Sequence, residues 1–227
     1  MRHIWSIAAV IVLAAAAVIA QAEVTGNIGW DSDYVFRGVP QSESSASGGI
    51  DWEGDSGFYL GTWAADVGDG LEIDYYGGWG GETDSGFSYS VGYTLYDYTG
   101  DFDEEYQEVN LGVGFGWLSL DISIGEWDGD GDGDGDGDDY TNYELTAERN
   151  GFFVTLGSWG DDFDADYLKL GYGTEIAGID VTSYYVYRNY YVYSNGDLIP
   201  GSDSNVVVQV SKSFSFEQVA DAFNGTE

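Results

Sequence analysis

From residue 23 onward the side chains alternate between apolar and polar at a period of two, and no stretch shows the spacing of an amphipathic helix. Phe87, Tyr89, Val91, Tyr93 and Leu95 interleave with Ser88, Ser90, Gly92 and Thr94. Val109, Leu111, Val113 and Phe115 interleave with Asn110, Gly112 and Gly114, and Leu118, Leu120, Ile122 and Ile124 oppose Ser119, Asp121, Ser123 and Gly125. Successive side chains of a strand point to opposite faces, so this pattern sets one face in an apolar medium and the other against polar surroundings.

About twelve such segments follow one another, each near the ~9–11 residues that a tilted strand needs to cross a bilayer. The links between them alternate in length. Tight turns are predicted at 54–56, 83–85, Trp117, Asn150-Gly151 and Ala177-Gly178; longer links are predicted at 38–47, 66–70, 99–105, 128–139, 161–165 and 191–204. Short turns at one end, long loops at the other and an even strand count describe an all-β, transmembrane, antiparallel up-and-down barrel with short periplasmic turns and longer extracellular loops.

A soluble β-sandwich also alternates, and three features weigh against it. The polar face is too polar and too glycine-rich for a dry interior, with 35 glycines in the chain. Trp30, Tyr34, Trp79, Tyr96, Tyr98, Trp127, Tyr187 and Tyr190 gather near strand ends, as an interfacial girdle requires. Two prolines are few for a protein built of soluble turns.

The N-terminus adds the compartment. Arg2, an uncharged stretch from Ile4 to Ala20 and an Ala20-Gln21-Ala22 site read as a secretory signal peptide over 1–22, followed by a barrel over 23–216 and a tail over 217–227. The expected location is the outer membrane of a Gram-negative bacterium. Expected partners are outer-membrane lipid, the outer-membrane assembly machinery and small solutes.

Composition then closes doors. With 41 acidic residues against 6 basic ones, a formal charge of −35 argues against nucleic acid, whose phosphates need clustered Lys and Arg. Acidic chains of this kind are often disordered, but 17% aromatic residues mark one that folds. Absent cysteine excludes thiolate chemistry, and the one histidine, His3, lies in the signal segment. Histidine-based triads and general bases are therefore missing from the mature chain, and no enzyme is expected.

Ser32-Asp-Tyr-Val-Phe-Arg-Gly38 with Gln41, then Gly57-Phe-Tyr-Leu-Gly-Thr-Trp-Ala64, Leu71-Glu-Ile-Asp-Tyr-Tyr-Gly77, Phe87-Ser-Tyr-Ser-Val-Gly-Tyr93 and the closing Val210-Ser-Lys-Ser-Phe214 resemble, in this order, the TorF family of proteobacterial porins. The resemblance covers nearly the whole mature chain and is densest over 23–100. It implies an outer-membrane barrel that conducts small solutes. Two departures stand out: residues 217–227 follow Phe214 and Phe216, where such a barrel normally ends on an aromatic, and an Asp-Gly tract fills the 128–139 link.

With the apolar face assigned to lipid, the lumen would carry Asp31, Asp51, Glu72, Asp74, Glu108, Asp121, Glu144, Glu148 and Asp180 against Arg37, Lys169 and Arg188. Nine carboxylates against three bases would draw cations and repel anions. The competing expectation is a filled lumen, since Tyr59, Trp63, Tyr76, Tyr184 and Trp159 also point inward and about twelve strands give a modest bore. Arg37, near the outer end of the first strand, is expected to pair with Asp33 or Asp51. No cofactor is expected. In the Asp-Gly tract, Asp128, Asp130, Asp132 and Asp139 match the spacing of a calcium loop, in a period-two repeat that satisfies it in several registers. A solvated acidic loop explains the same residues.

Overall fold

The computed structural model describes residues 23–129, 137–194 and 197–217. The signal segment, Asp130 and Asp132 of the Asp-Gly tract, and the tail beyond Glu217 lie outside them. Twelve strands run among the described residues: β1 Glu23–Phe36, β2 Val39–Glu53, β3 Phe58–Asp66, β4 Leu71–Glu82, β5 Phe87–Tyr98, β6 Tyr106–Phe115, β7 Leu118–Trp127, β8 Asp138–Arg149, β9 Phe152–Asp161, β10 Ala165–Ile176, β11 Ile179–Ser194 and β12 Asp197–Ser215. Each pairs antiparallel with its chain neighbours, and β1 pairs with β12, so the sheet is a closed up-and-down barrel. Closure leaves no strand edge along the paired wall.

The alternation settles which face is which. Ile28, Ile50, Leu60, Val91, Leu111, Leu156 and Val206 are exposed on the outer wall, with Val206 66% accessible. Towards the end that carries Glu23, Phe58, Trp79, Phe87, Phe115, Trp117 and Phe152 ring this belt; towards the other end stand Tyr75, Tyr93, Tyr143 and Tyr187. An apolar band between two aromatic girdles is the outer surface of a membrane barrel.

Five of the expected girdle residues turn inward or pack away from lipid. Tyr34 and Tyr96 are buried, and Tyr98 hydrogen-bonds to buried Glu72. Trp127 stacks on Tyr106 and donates to Asp103, and Tyr190 lies against Gly201. Tyr96 and Tyr98 share the parity of Ser88 and Ser90, so position near a strand end misleads where parity decides. Trp30, Trp79 and Tyr187 do face outward.

The turns beside Glu23 are tight, as expected, and their geometry is built on positive φ at Gly57, Gly86, Gly116, Asn150-Gly151 and Ala177-Gly178. At the other end two expected long links are strands instead. All of the 38–47 segment but Gly38 belongs to β2, which only Arg37 and Gly38 separate from β1. Most of the 191–204 segment extends β11 and β12, which pair as far as Ser194 with Asp197. Pro200 suggests a loop there; it is tolerated because β12 has β11 on one side and its pairing with β1 stops at Gln209.

Candidate functional site

The first hairpin leaves the wall. β1 pairs with β12 only from Thr25 to Asp31, and β2 pairs with β3 only from Ser47 to Glu53. Yet β1 and β2 remain paired with each other out to Phe36 and Val39. Residues 32–46 therefore form a two-stranded ribbon with no wall strand on either flank. A register shift between Tyr34 and Val35 and a positive φ of 57° at Ser44 bend the ribbon. Serine hydroxyls replace the lost ladder at the points of departure: the Val208 N–H donates to Ser32 Oγ at 2.9 Å, while Ser42 and Ser45 donate to the Asp66 carbonyl at 2.7 Å. Arg37 and Gly38 close the ribbon with φ of 45° and 83°.

The ribbon folds into the barrel. Val35 packs with Tyr184, Val186 and Val207 of β11 and β12, and Tyr34 with Ala65 and Val67 beside β3. Phe36 meets the Tyr96 ring edge-on at 5.5 Å, and Trp159 Nε1 donates to the Arg37 carbonyl at 3.0 Å. A side chain added at Gly38 would strike the Tyr167 ring at 2.7 Å, so only glycine fits this approach. The tip reaches the opposite wall.

At its end the Arg37 guanidinium forks onto Glu108 of β6, Nη1 to Oε2 at 2.7 Å and Nη2 to Oε1 at 2.8 Å, and Nη2 also donates to Ser123 of β7 at 2.7 Å. Tyr96 at 2.7 Å, Tyr140 at 2.9 Å and Asn110 at 2.5 Å donate to the same carboxylate. The two side chains are 5% and 0% accessible. A buried ion pair is tolerable only when its remaining lone pairs and protons are satisfied, and here the surrounding donors do that. The expected pairing of Arg37 with Asp33 or Asp51 is corrected: the ribbon carries Arg37 away from its own wall.

A second acidic node lies beside the first. Glu72 of β4 accepts from Tyr34 at 2.5 Å and from Tyr98 at 2.9 Å. Asp74 is buried next to it, and its Oδ1, like Trp63 Nε1 opposite, has no hydrogen-bond partner among the described residues. Lys169 of β10 pairs with Glu144 of β8 at 2.9 Å, and Arg188 of β11 with Asp203 of β12 at 2.8 Å. Asp203 fell in an expected loop and was missed for that reason. Tyr34, Asn110, Ser123 and Tyr140 were missed as well; polar-face parity was the available signal for the last three, whereas Tyr34 shares the parity of lipid-facing Ile28 and Trp30.

The half of the lumen beside the tight turns is built differently. Inward rings there lie on glycines directly across the ladder: Tyr59 on Gly78, Tyr76 on Gly61, and Phe153 on Gly171. Tyr140 on Gly125 and Tyr167 on Gly157 repeat the device nearer the hairpin. Each ring is flattened against the wall, so the inward aromatics Tyr59 and Tyr76 line this half without crossing it. Ser88, Ser119 and Thr146 complete a polar surface that is partly accessible.

The remaining acids spread over both halves. Asp31 is buried beside its register partner Gln209. Asp51 accepts from Asn27 at 3.3 Å and from Tyr76, and Asp121 lies against Gly112. Glu148 and Asp180 stand near the tight turns, opposite Phe153 and Glu175 in register. Of the calcium-spaced residues, Asp139 donates its backbone N–H to Asp162, and the Asp128 N–H donates to the Glu105 carbonyl. Among the described residues no group of three His, Cys, Asp or Glu side chains is placed to hold a metal.

Two kinds of solved structure resemble this one. A triple mutant of the Rhodopseudomonas blastica porin is 14% identical over 87% of this chain and 100% of that chain, with a TM-score of 0.32. The outer membrane protease OmpT of Escherichia coli is 9% identical over 86% of this chain and 94% of that chain, with a TM-score of 0.30. Superposition this loose adds nothing to the barrel assignment, which stands on the pairing of β1 with β12. No curated protein matches the chain. A sequence profile described as "Bacterial protein of unknown function (Gcw_chp)" matches residues 15–214, so the chain belongs to the Gcw_chp family.

Proposed function

We propose that this protein is an outer-membrane channel of the porin type, in keeping with its resemblance to the TorF family, and passes small cationic or neutral solutes by diffusion. The observation that carries the reading is the inner wall: a closed barrel with an apolar exterior, lined within by Gly, Ser, Thr and carboxylates on rings laid flat. Arg37, Lys169 and Arg188 are each matched by one carboxylate, Glu108, Glu144 and Asp203. Asp51 and Asp121 then leave an acidic excess along the accessible part of the lumen, with Asp31, Glu72 and Asp74 buried beyond it. In a low-dielectric wall such an excess favours cations over anions. Planar bilayers at asymmetric KCl test this directly: a reversal potential of cation-selective sign is expected, and an anion-selective sign would discard it.

A second reading is a non-conducting barrel that serves as surface structure or ligand scaffold through its acidic loops. The inserted hairpin favours it, because that ribbon occupies one half of the lumen. Single-channel recording separates the two, since a permanently filled barrel gives no conductance steps.

A further inference from the structure

We propose that the pocket around Glu108 is a guanidinium-binding site that the chain fills with its own Arg37, which makes the 32–46 ribbon a tethered plug. The pocket has the chemistry of a receptor. One fully buried carboxylate presents both oxygens to the fork, Ser123 takes a further N–H, and Trp159 stands 5.7 Å from the guanidinium carbon. Tyr96, Tyr140 and Asn110 hold the carboxylate in place from the wall strands, independently of the hairpin. A planar fork matches such a carboxylate with two parallel bonds, whereas an ammonium makes one. The occupant, by contrast, sits on a segment that has left the ladder on both flanks, and its turn places a non-glycine residue, Arg37, at positive φ. Wall and ligand are separate parts.

With the ribbon withdrawn, the pocket faces the lumen and takes solutes bearing a guanidinium group. The conductance arm of this proposal rests on the channel reading above; the docking arm does not. The chain contains no cysteine, so a single one introduced at Ser45, which is buried on the ribbon, reports alone. In Ser45→Cys barrels reconstituted into vesicles, a membrane-impermeant maleimide should label slowly. Adding Arg37→Ala should raise the labelling rate at least tenfold, and Arg37→Lys should give an intermediate rate. In bilayers Arg37→Ala should conduct more than the parent. Guanidinium chloride at tens of millimolar should block it where equal sodium chloride does not, and Arg37→Ala/Glu108→Gln should lose that block.

Unchanged labelling in Arg37→Ala overturns the plug, and equal effects of guanidinium and sodium overturn the receptor. Heat-modifiable migration in gels verifies folding; if Arg37→Ala fails that check, Arg37→Lys carries the test, faster labelling supporting the plug and parental labelling overturning it. Fast labelling of the variants with no conductance in any barrel retains the plug and discards the channel. Conductance in the parent equal to that of Arg37→Ala retains the channel and discards the plug.

Discussion

The two halves of the lumen are lined by similar residues and filled by different means. Beside the tight turns, Tyr59 and Tyr76 each lie on a cross-strand glycine, and Phe153 lies on Gly171 where it also packs against the Val35 cluster. Towards the long loops, Tyr34, Phe36 and Arg37 enter on a backbone ribbon and meet Tyr96, Glu108 and Trp159 from the far wall. Aromatic content therefore does not decide whether a narrow barrel is open. A ring that has a glycine to lie on costs little bore, while two strands brought inside close it.

If the hairpin half is organised by one buried ion pair, removing the acceptor should have the largest effect. Glu108→Ala leaves the Arg37 guanidinium buried and its neighbours Tyr96, Tyr140 and Asn110 without their acceptor. Breaking such a pair costs about 3–5 kcal/mol. The urea midpoint of the heat-modifiable band should fall accordingly. Asp51→Ala, in the half beside the tight turns, removes the acceptor of Asn27 and Tyr76 but leaves no buried cation, and should cost less, about 1.5–3 kcal/mol. Equal losses at the two positions would erase the distinction between the halves.

The ring-on-glycine device gives the next effect. A Cβ at Gly157 would fall 1.9 Å from the Tyr167 ring, so Gly157→Val should cost about 1–3 kcal/mol through overpacking. Gly160, three residues along the same strand, has nothing nearer than 3.9 Å, and Gly160→Ala should change stability by less than about 0.5 kcal/mol. Denaturant titration of both variants in one detergent measures the contrast.

The sequence carried the wall well because each wall strand has a lipid face and a polar face, and period two is the direct imprint of that. It carried the hairpin poorly because 32–46 has no lipid face. There Tyr34 and Val35 are both buried, and the Ser42–Ser47 stretch, which reads as loop composition, supplies the hydroxyls that replace the missing ladder. The turn itself was open to reading. Arg37-Gly38 adopts the same pair of positive φ values as Asn150-Gly151 and Ala177-Gly178, which were recognised, but arginine is not a residue that advertises such a turn. The partner of Arg37 lies 71 residues away, and its choice follows from the ribbon crossing the barrel, which no local pattern encodes.

Arg188 sharpens the contrast in another way, for it makes the same kind of pair at the rim. Its bond to Asp203 is 2.8 Å, but the two side chains are 16% and 34% accessible. Water and salt screen such a pair, and Arg188→Ala should lower stability by less than about 1 kcal/mol. A loss comparable to that of Glu108→Ala would show that burial is not what sets the Arg37 pair apart.

The smallest expected effect concerns selectivity and tests the halves against each other by ion flow. Asp121 faces the polar, partly accessible half, so its charge acts on permeating ions through water. Asp121→Asn should reduce the cation-to-anion permeability ratio by about twofold. Asp74 is buried behind the docked ribbon, where it has no access to the ion path while the hairpin stays in place. Asp74→Asn should leave the reversal potential unchanged in the parent and shift it in the Arg37→Ala background, where the ribbon is withdrawn. A shift at Asp74 in the parent would mean that ions already pass the hairpin, and the occluded half would then be part of the conducting path.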